Sequence, residues 1–154
     1  MCIEDLLAGL AAEMPGAVVP GADGIMHFRA TEDIDVIIIG TEESDDFMLI
    51  ADVAPFPQQS AETFAKAVLK ANWLFEGTAG ATFSICPETG FLTLSQLVRG
   101  ADLTVDAFQE IVGRLTGLVA RWRTLAFRLD RGEGVSAETM SDEHLRLAEN
   151  NFFV

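Results

Sequence analysis

A helical stripe near the end of the chain constrains the fold more than any other feature. Val105, Phe108, Val112, Leu115, Val119, Trp122, Ala126 and Leu129 recur every three or four residues. Ile111, Leu118 and Leu125 widen the stripe. That period predicts one long amphipathic helix, with Thr104 as its N-cap. Arg114, Arg121, Arg123 and Arg128 lie off the stripe, and the later ones suit the negative end of the helix dipole. A stripe of this width must be buried against another element, so the rest of the chain has to supply a matching apolar surface.

That surface reads as a sheet. Gly24–Ala30, Asp35–Gly40 and Asp46–Val53 carry strand signals. The short polar turns between them, 31–33 and 41–45, predict an antiparallel meander. Val36-Ile37-Ile38-Ile39 has no polar alternation, so both of its faces want cover. Pro55 and Pro57 end this run, and Ser60 is the expected N-cap of a helix over 61–73. Its side chains Phe64, Ala65, Val68, Leu69 and Asn72 line one side, while Ala67 and Ala71 permit close approach on the other. Two more strands, 81–86 and 91–98, flank Pro87-Glu88-Thr89-Gly90. Proline presets its own backbone angle there and glycine supplies a positive φ, so the segment predicts a hairpin.

At the front, Ile3, Leu6, Leu7, Leu10, Ala11 and Met14 predict a short amphipathic helix that Pro15-Gly16 ends. At the back, residues 130–154 form an acidic tail broken by Gly132 and Gly134, with a short helix expected over 136–149 and an apolar end, Phe152-Phe153-Val154. The order is helix, three strands, helix, two strands, helix, tail. It predicts an α+β fold with an antiparallel twisted sheet and flanking helices, in one domain over 1–129 followed by the tail. The 154 residues are enough for one domain with a real core.

Charge and chemistry narrow the function. The net charge is −14, which disfavours binding to nucleic acid and to anionic membrane. No apolar run approaches the roughly 18 residues of a membrane span. The start, Met1-Cys2-Ile3-Glu4-Asp5, lacks the basic region of a signal peptide, so a cytoplasmic protein is expected. Cys2 and Cys86 are far apart and read as reduced thiols. Gly77 and Gly80 are too close for a Walker loop, no lysine follows, and the link runs from helix to strand. It is expected to be a flexible connection and not a phosphate cradle. His27, in a strand beside Met26 and Phe28, is expected half-buried, and neither it nor His144 has a nucleophile nearby in sequence. Residues 31–52 hold eight acids and no base, but the spacing of a calcium loop is missing. They read as solvated turns or as a surface for a basic partner. Nothing forms a catalytic or metal constellation, and no cofactor is implied. A hydrophobic content of 49% in so acidic a chain fits a binding module.

The second half of the chain resembles a known family. Leu69-Lys70-Ala71-Asn72-Trp73-Leu74-Phe75, the link Gly77-Thr78-Ala79-Gly80-Ala81-Thr82, the turn Pro87-Glu88-Thr89-Gly90 with Leu92-Thr93-Leu94, and Trp122-Arg123 in the closing helix follow one another in the order of the class I type III secretion chaperones of the Tir-chaperone (CesT)-like group. The resemblance covers roughly residues 1–129. It implies a small acidic homodimer in the bacterial cytoplasm, without enzymatic activity, serving virulence. Such a dimer holds the N-terminal chaperone-binding segment of a secreted effector in extended form and keeps it soluble and competent for secretion. The secretion ATPase is a further candidate partner. The alternative is a non-catalytic regulatory interaction module of the same fold.

The expected client contacts are Ile3, Leu6, Leu7 and Leu10 of the first helix, with Val36, Ile38, Met48 and Ile50 of the sheet. Ordering a client costs about 2–5 kcal/mol, so a large apolar contact is required. For the dimer, the resemblance points to the second helix and adjoining hairpin, through Phe64, Ala65, Val68 and Phe83. Each of these positions is equally a candidate for intrachain core. The tail departs from the family pattern. Its apolar end is expected to occupy the protein's own apolar patch, or a neighbour's, until a client displaces it; a frayed end is the simpler alternative.

Overall fold

The computed structural model describes residues 18–20, 25–41 and 44–133, together with Asp5, Ala8, Gly9 and Ala12 of the opening segment, which are helical. Six strands form one sheet: β1 (Val18–Pro20), β2 (Ile25–Arg29), β3 (Asp35–Thr41), β4 (Ser44–Pro55), β5 (Thr82–Ile85) and β6 (Phe91–Val98). Their order across the antiparallel sheet is β1-β2-β3-β4-β6-β5. Among the described residues the long helices are α1 (Ala61–Asn72) and α2 (Val105–Asp130), and a 3-10 turn, Trp73–Phe75, follows α1. The α+β architecture is as expected, but β1 is an additional strand. Three residues with a proline at their end carry no strand period of their own, and they are extended because they pair with β2.

The chain divides into two compact units. The first comprises residues 1–52 and 95–119. Here β2, β3 and β4 pair with Phe28 opposite Val36 and Val36 opposite Ala51. Cross-strand partners share a sheet face, so Phe28, Val36, Ile38, Leu49 and Ala51 lie on one side, and all five are buried. Phe108 of α2 lies against that side. Its ring sits 5.8 Å from Phe28, edge to face, and 6.0 Å from Phe47. The Thr104 hydroxyl accepts from Ala107 N–H, at 3.2 Å, and caps α2 as expected. Gly100 lies against the backbone of Asp45, where an added Cβ would stand 1.9 Å from the carbonyl oxygen.

The second unit comprises residues 53–94 and 120–154. Trp122 is at its centre, 1% exposed. Phe83 packs edge-on to it at 4.7 Å and Phe64 at 5.9 Å. Arg123, off the apolar stripe, donates from Nε to the carbonyl of Val53 at 2.7 Å. Ser60 does not cap α1 with its side chain. It is in the left-handed region at φ 60°, and only its carbonyl engages the helix, accepting from Phe64 N–H. The hairpin is closed by Cys86 N–H to Phe91 O (2.9 Å) and Gly90 N–H to Cys86 O (2.8 Å), with Gly90 at φ +71°.

Gly113 and Gly117 of α2 carry a cost of roughly 1 kcal/mol each relative to alanine. Glycine inside a helix can serve close packing, yet an added Cβ at either position meets nothing within 4 Å. Gly113→Ala and Gly117→Ala should therefore each raise stability by about 0.5–1 kcal/mol. Urea unfolding midpoints, which should move upward for both, check this.

Candidate functional site

The outward side of β1–β4 belongs to the first unit. The register sets Val19 opposite His27, His27 opposite Ile37, and Ile37 opposite Ile50. A neighbouring row sets Ile25 opposite Ile39 and Ile39 opposite Met48. Seven residues thus share one face, and six of them are apolar. Val19 is 48% exposed, Ile39 37%, and the other four apolar residues are half-buried. His27 is exposed, not half-buried as its neighbours predicted, because it points away from Phe28. At one end the face meets the exposed Arg29–Asp35 ion pair, at 3.3 Å.

The four sheet residues expected to touch a client do not form one face. Met48 and Ile50 lie on this outward side. Val36 and Ile38 lie on the other and have no exposure at all. Ile37 and Ile39, which were not among the expected residues, take the outward positions of β3 instead, and Val19 and Ile25 complete the rows. Ile3, Leu6, Leu7 and Leu10 lie outside the described residues.

The second unit holds a different apolar surface. Phe64, Val68 and Phe83, expected at a dimer interface, are buried in the chain's own core at 0%, 7% and 5% exposure, and Ala65 is half-buried. Phe64 and Phe83 both face Trp122. The exposed apolar residues here include Leu69, Trp73, Leu74 and Phe75, which follow one another at the end of α1. Leu74 and Phe75 have φ of 50° and 60°, a conformation that costs ordinary residues energy. The sequence signal for this surface is the run Trp73-Leu74-Phe75 itself, more apolar than a helix end requires.

Asn72, which ends α1, has a specific task. Its carboxamide donates to Phe83 O at 3.2 Å and accepts from Phe83 N–H at 2.8 Å. It thereby stands in for a neighbouring strand along β5, which is the last strand on that side of the sheet. Asn72→Ala would strip both groups of their partner and should cost about 1–3 kcal/mol in urea unfolding. The link that follows, expected to be a flexible connection, is a closely packed turn in which Gly77 N–H bonds to Ala71 O and Ala81 N–H to Thr78 O. Gly77 packs so closely on Ala71 that a Cβ there would lie 2.7 Å from the alanine methyl. Ala79 and Gly80 turn the chain at φ 50° and 94°. The half-buried Cys86 sits at the strand end, where the Thr89 hydroxyl, and then the Thr89 and Glu88 backbone, hold its thiol below the usual value.

Among the described residues no group of three metal-ligating side chains comes together, and no helix is long and apolar enough to cross a membrane. The described surface thus offers an apolar sheet face, an exposed apolar turn after α1, and a β5 edge on which Asn72 occupies the main-chain groups of Phe83. Solved structures with the same fold include a chain of the ExsC–ExsE complex, at 20% identity and TM-score 0.66, covering 82% of this chain and 97% of that one. A chain of the HopA1–SchA chaperone–effector complex matches at 16% identity and TM-score 0.60, covering 79% and 90%. A chain of the heterodimeric ExoU–SpcU complex from the type III secretion system of Pseudomonas aeruginosa matches at 19% identity and TM-score 0.61, covering 80% and 96%. No curated protein matches by sequence.

These likenesses show the fold, and the family match gives the class, that of the type III secretion effector chaperones. Residues 5–123 match the model of the Tir chaperone protein (CesT) family, and the chain belongs to that family. Proteins of this family bind effectors and are not enzymes.

Proposed function

We propose that the protein is a cytoplasmic homodimer that holds the N-terminal segment of one secreted effector in extended form, soluble and ready for export. The observation that carries this reading is the outward face of β1–β4, where six apolar side chains lie in two cross-strand rows. A client strand set beside β1 satisfies its main-chain groups there, and the client chain that continues from it lays apolar side chains over those rows. The opposite edge, β5, is less receptive because Asn72 already bonds both main-chain groups of Phe83. Two of the similar folds are named for complexes of two proteins, and a third for a chaperone with its effector, which agrees with this use of the fold. Co-expression with N-terminal effector segments from the same bacterium tests the reading. A segment that stays soluble only with the chaperone supports it, and one that folds and remains soluble alone, unbound, contradicts it.

The homodimer we assign to Leu69, Trp73, Leu74 and Phe75, with Phe64, Val68 and Phe83 supporting that surface from within. Burying a large apolar side chain contributes about 1.5–3 kcal/mol, enough for four of them to hold a dimer against part of its association cost. Light scattering should give a mass about twice the 16.7 kDa chain. Trp73→Glu should bring it down to the single chain, and a Trp73→Glu protein that stays dimeric would move the interface elsewhere.

A further inference from the structure

The outer side of α2 in the second unit is not used by either surface above. Arg121, Thr124, Arg128 and Arg131 recur there at helical spacing and are all exposed. Phe127 lies among them, 50% exposed. Neither Arg121 nor Arg131 has an ion-pair partner among the described residues. In a chain of net charge −14, residues 99–131 carry six of the ten bases. An uncovered basic stripe with an aromatic ring in it is therefore out of keeping with the rest of the surface.

The end of the same helix shows where the chain goes next. Gly132 takes φ +73°. Glu133 N–H bonds to Arg128 O at 3.1 Å and Gly132 N–H to Leu129 O at 3.0 Å. This paired pattern folds the chain back over the last turn. The Glu133 carboxylate also accepts from Arg128 Nε at 3.2 Å, so the first acid after the helix already sits on the arginine stripe.

We propose that the outer face of α2 is the docking surface for the acidic C-terminal segment of the same chain, residues 134–154. Complementary charge and spacing support that occupant. The segment holds Glu138, Asp142, Glu143 and Glu149 against one base, Arg146. At helical spacing Glu138, Asp142, Leu145 and Glu149 share one face. Glu138 and Glu149 are then about 16 Å apart along the axis, and Arg121 and Arg131 about 15 Å. Leu145 falls between the acids as Phe127 falls between the arginines. An isolated helix of this length is marginal in water, so protection of such a segment reads out its docking. This places the tail on α2, and not on the client face that the sequence alone suggested.

Hydrogen exchange on the full-length chain tests the proposal. Amides over 138–149 should exchange at least about tenfold more slowly than an unstructured chain in about 20 mM salt. Arg121→Glu with Arg131→Glu should return them to the unstructured rate while β3 and β4 keep their protection. Adding Glu138→Arg and Glu149→Arg should restore most of the effect. Unprotected tail amides in the wild type would overturn the proposal. So would protection that survives the double arginine change, which would place the segment elsewhere. Protection that grows with protein concentration would also overturn it, by assigning the surface to a second copy.

Discussion

Trp122→Ala is expected to lower the stability of the protein by about 3–5 kcal/mol, the cost of truncating a fully buried aromatic ring. Three features make the loss hard to relieve. The ring is 1% exposed. Two phenylalanines, Phe64 and Phe83, meet it edge-on from α1 and β5. Both are held by local bonds of their own, Phe64 through Ser60 O and Phe83 through Asn72. Collapse into the space would have to break those bonds, so most of the cavity should remain. Urea unfolding followed by far-UV circular dichroism measures the effect, and in a chain of this size the melting temperature should fall by roughly 10 °C. A change below about 1 kcal/mol would mean that Trp122 does not anchor the second unit.

The second large effect concerns binding. Ile39→Glu with Ile50→Glu should weaken capture of an effector segment by at least about 100-fold, because each isoleucine contributes about 1.5–3 kcal/mol when covered. Both side chains already meet water, Ile39 at 37% exposure and Ile50 half-buried, so the fold should tolerate the change. Val36→Ala or Ile38→Ala would act differently. Those residues have no exposure and should destabilise the protein through a cavity. Pull-down of an effector segment, read beside the melting temperature of each variant, separates the two cases.

These two predictions also mark what the sequence could and could not disclose. The closing helix was legible because its stripe, its Thr104 cap and its arginines all agree locally. The hairpin was legible because Pro87 and Gly90 fit one turn. Strand β1 was not, since Val18-Val19-Pro20 is extended only through its partner. The apolar outward face was half legible. Val36-Ile37-Ile38-Ile39 is apolar throughout, and nothing in it says which parity points inward. In β4 both parities are again apolar, Phe47 and Leu49 against Met48 and Ile50. Only the register, with Ile38 opposite Leu49, decides it, and a one-residue slip exchanges the faces. The expected set of Val36, Ile38, Met48 and Ile50 took one strand in each parity.

The dimer candidates Phe64, Val68 and Phe83 lie in the chain's own core for a related reason. Phe64, Val68 and Phe83 are large and apolar, which marks a core position as well as an interface. What distinguishes Trp73, Leu74 and Phe75 is exposure, and exposure is set by the turn that ends α1, where two residues without a glycine's freedom take positive φ. Pattern alone does not anticipate such a turn.

The central claim is that a client lies along β1 and over the outward face of β1–β4. Hydrogen exchange on the chain purified with its effector segment, against the chain alone, tests it most directly. New protection should appear at Val18 to Pro20 and at Ile25 to Arg29, with little change along Thr82 to Ile85. New protection confined to the Thr82–Ile85 edge, with β1 and β2 unchanged, would contradict it.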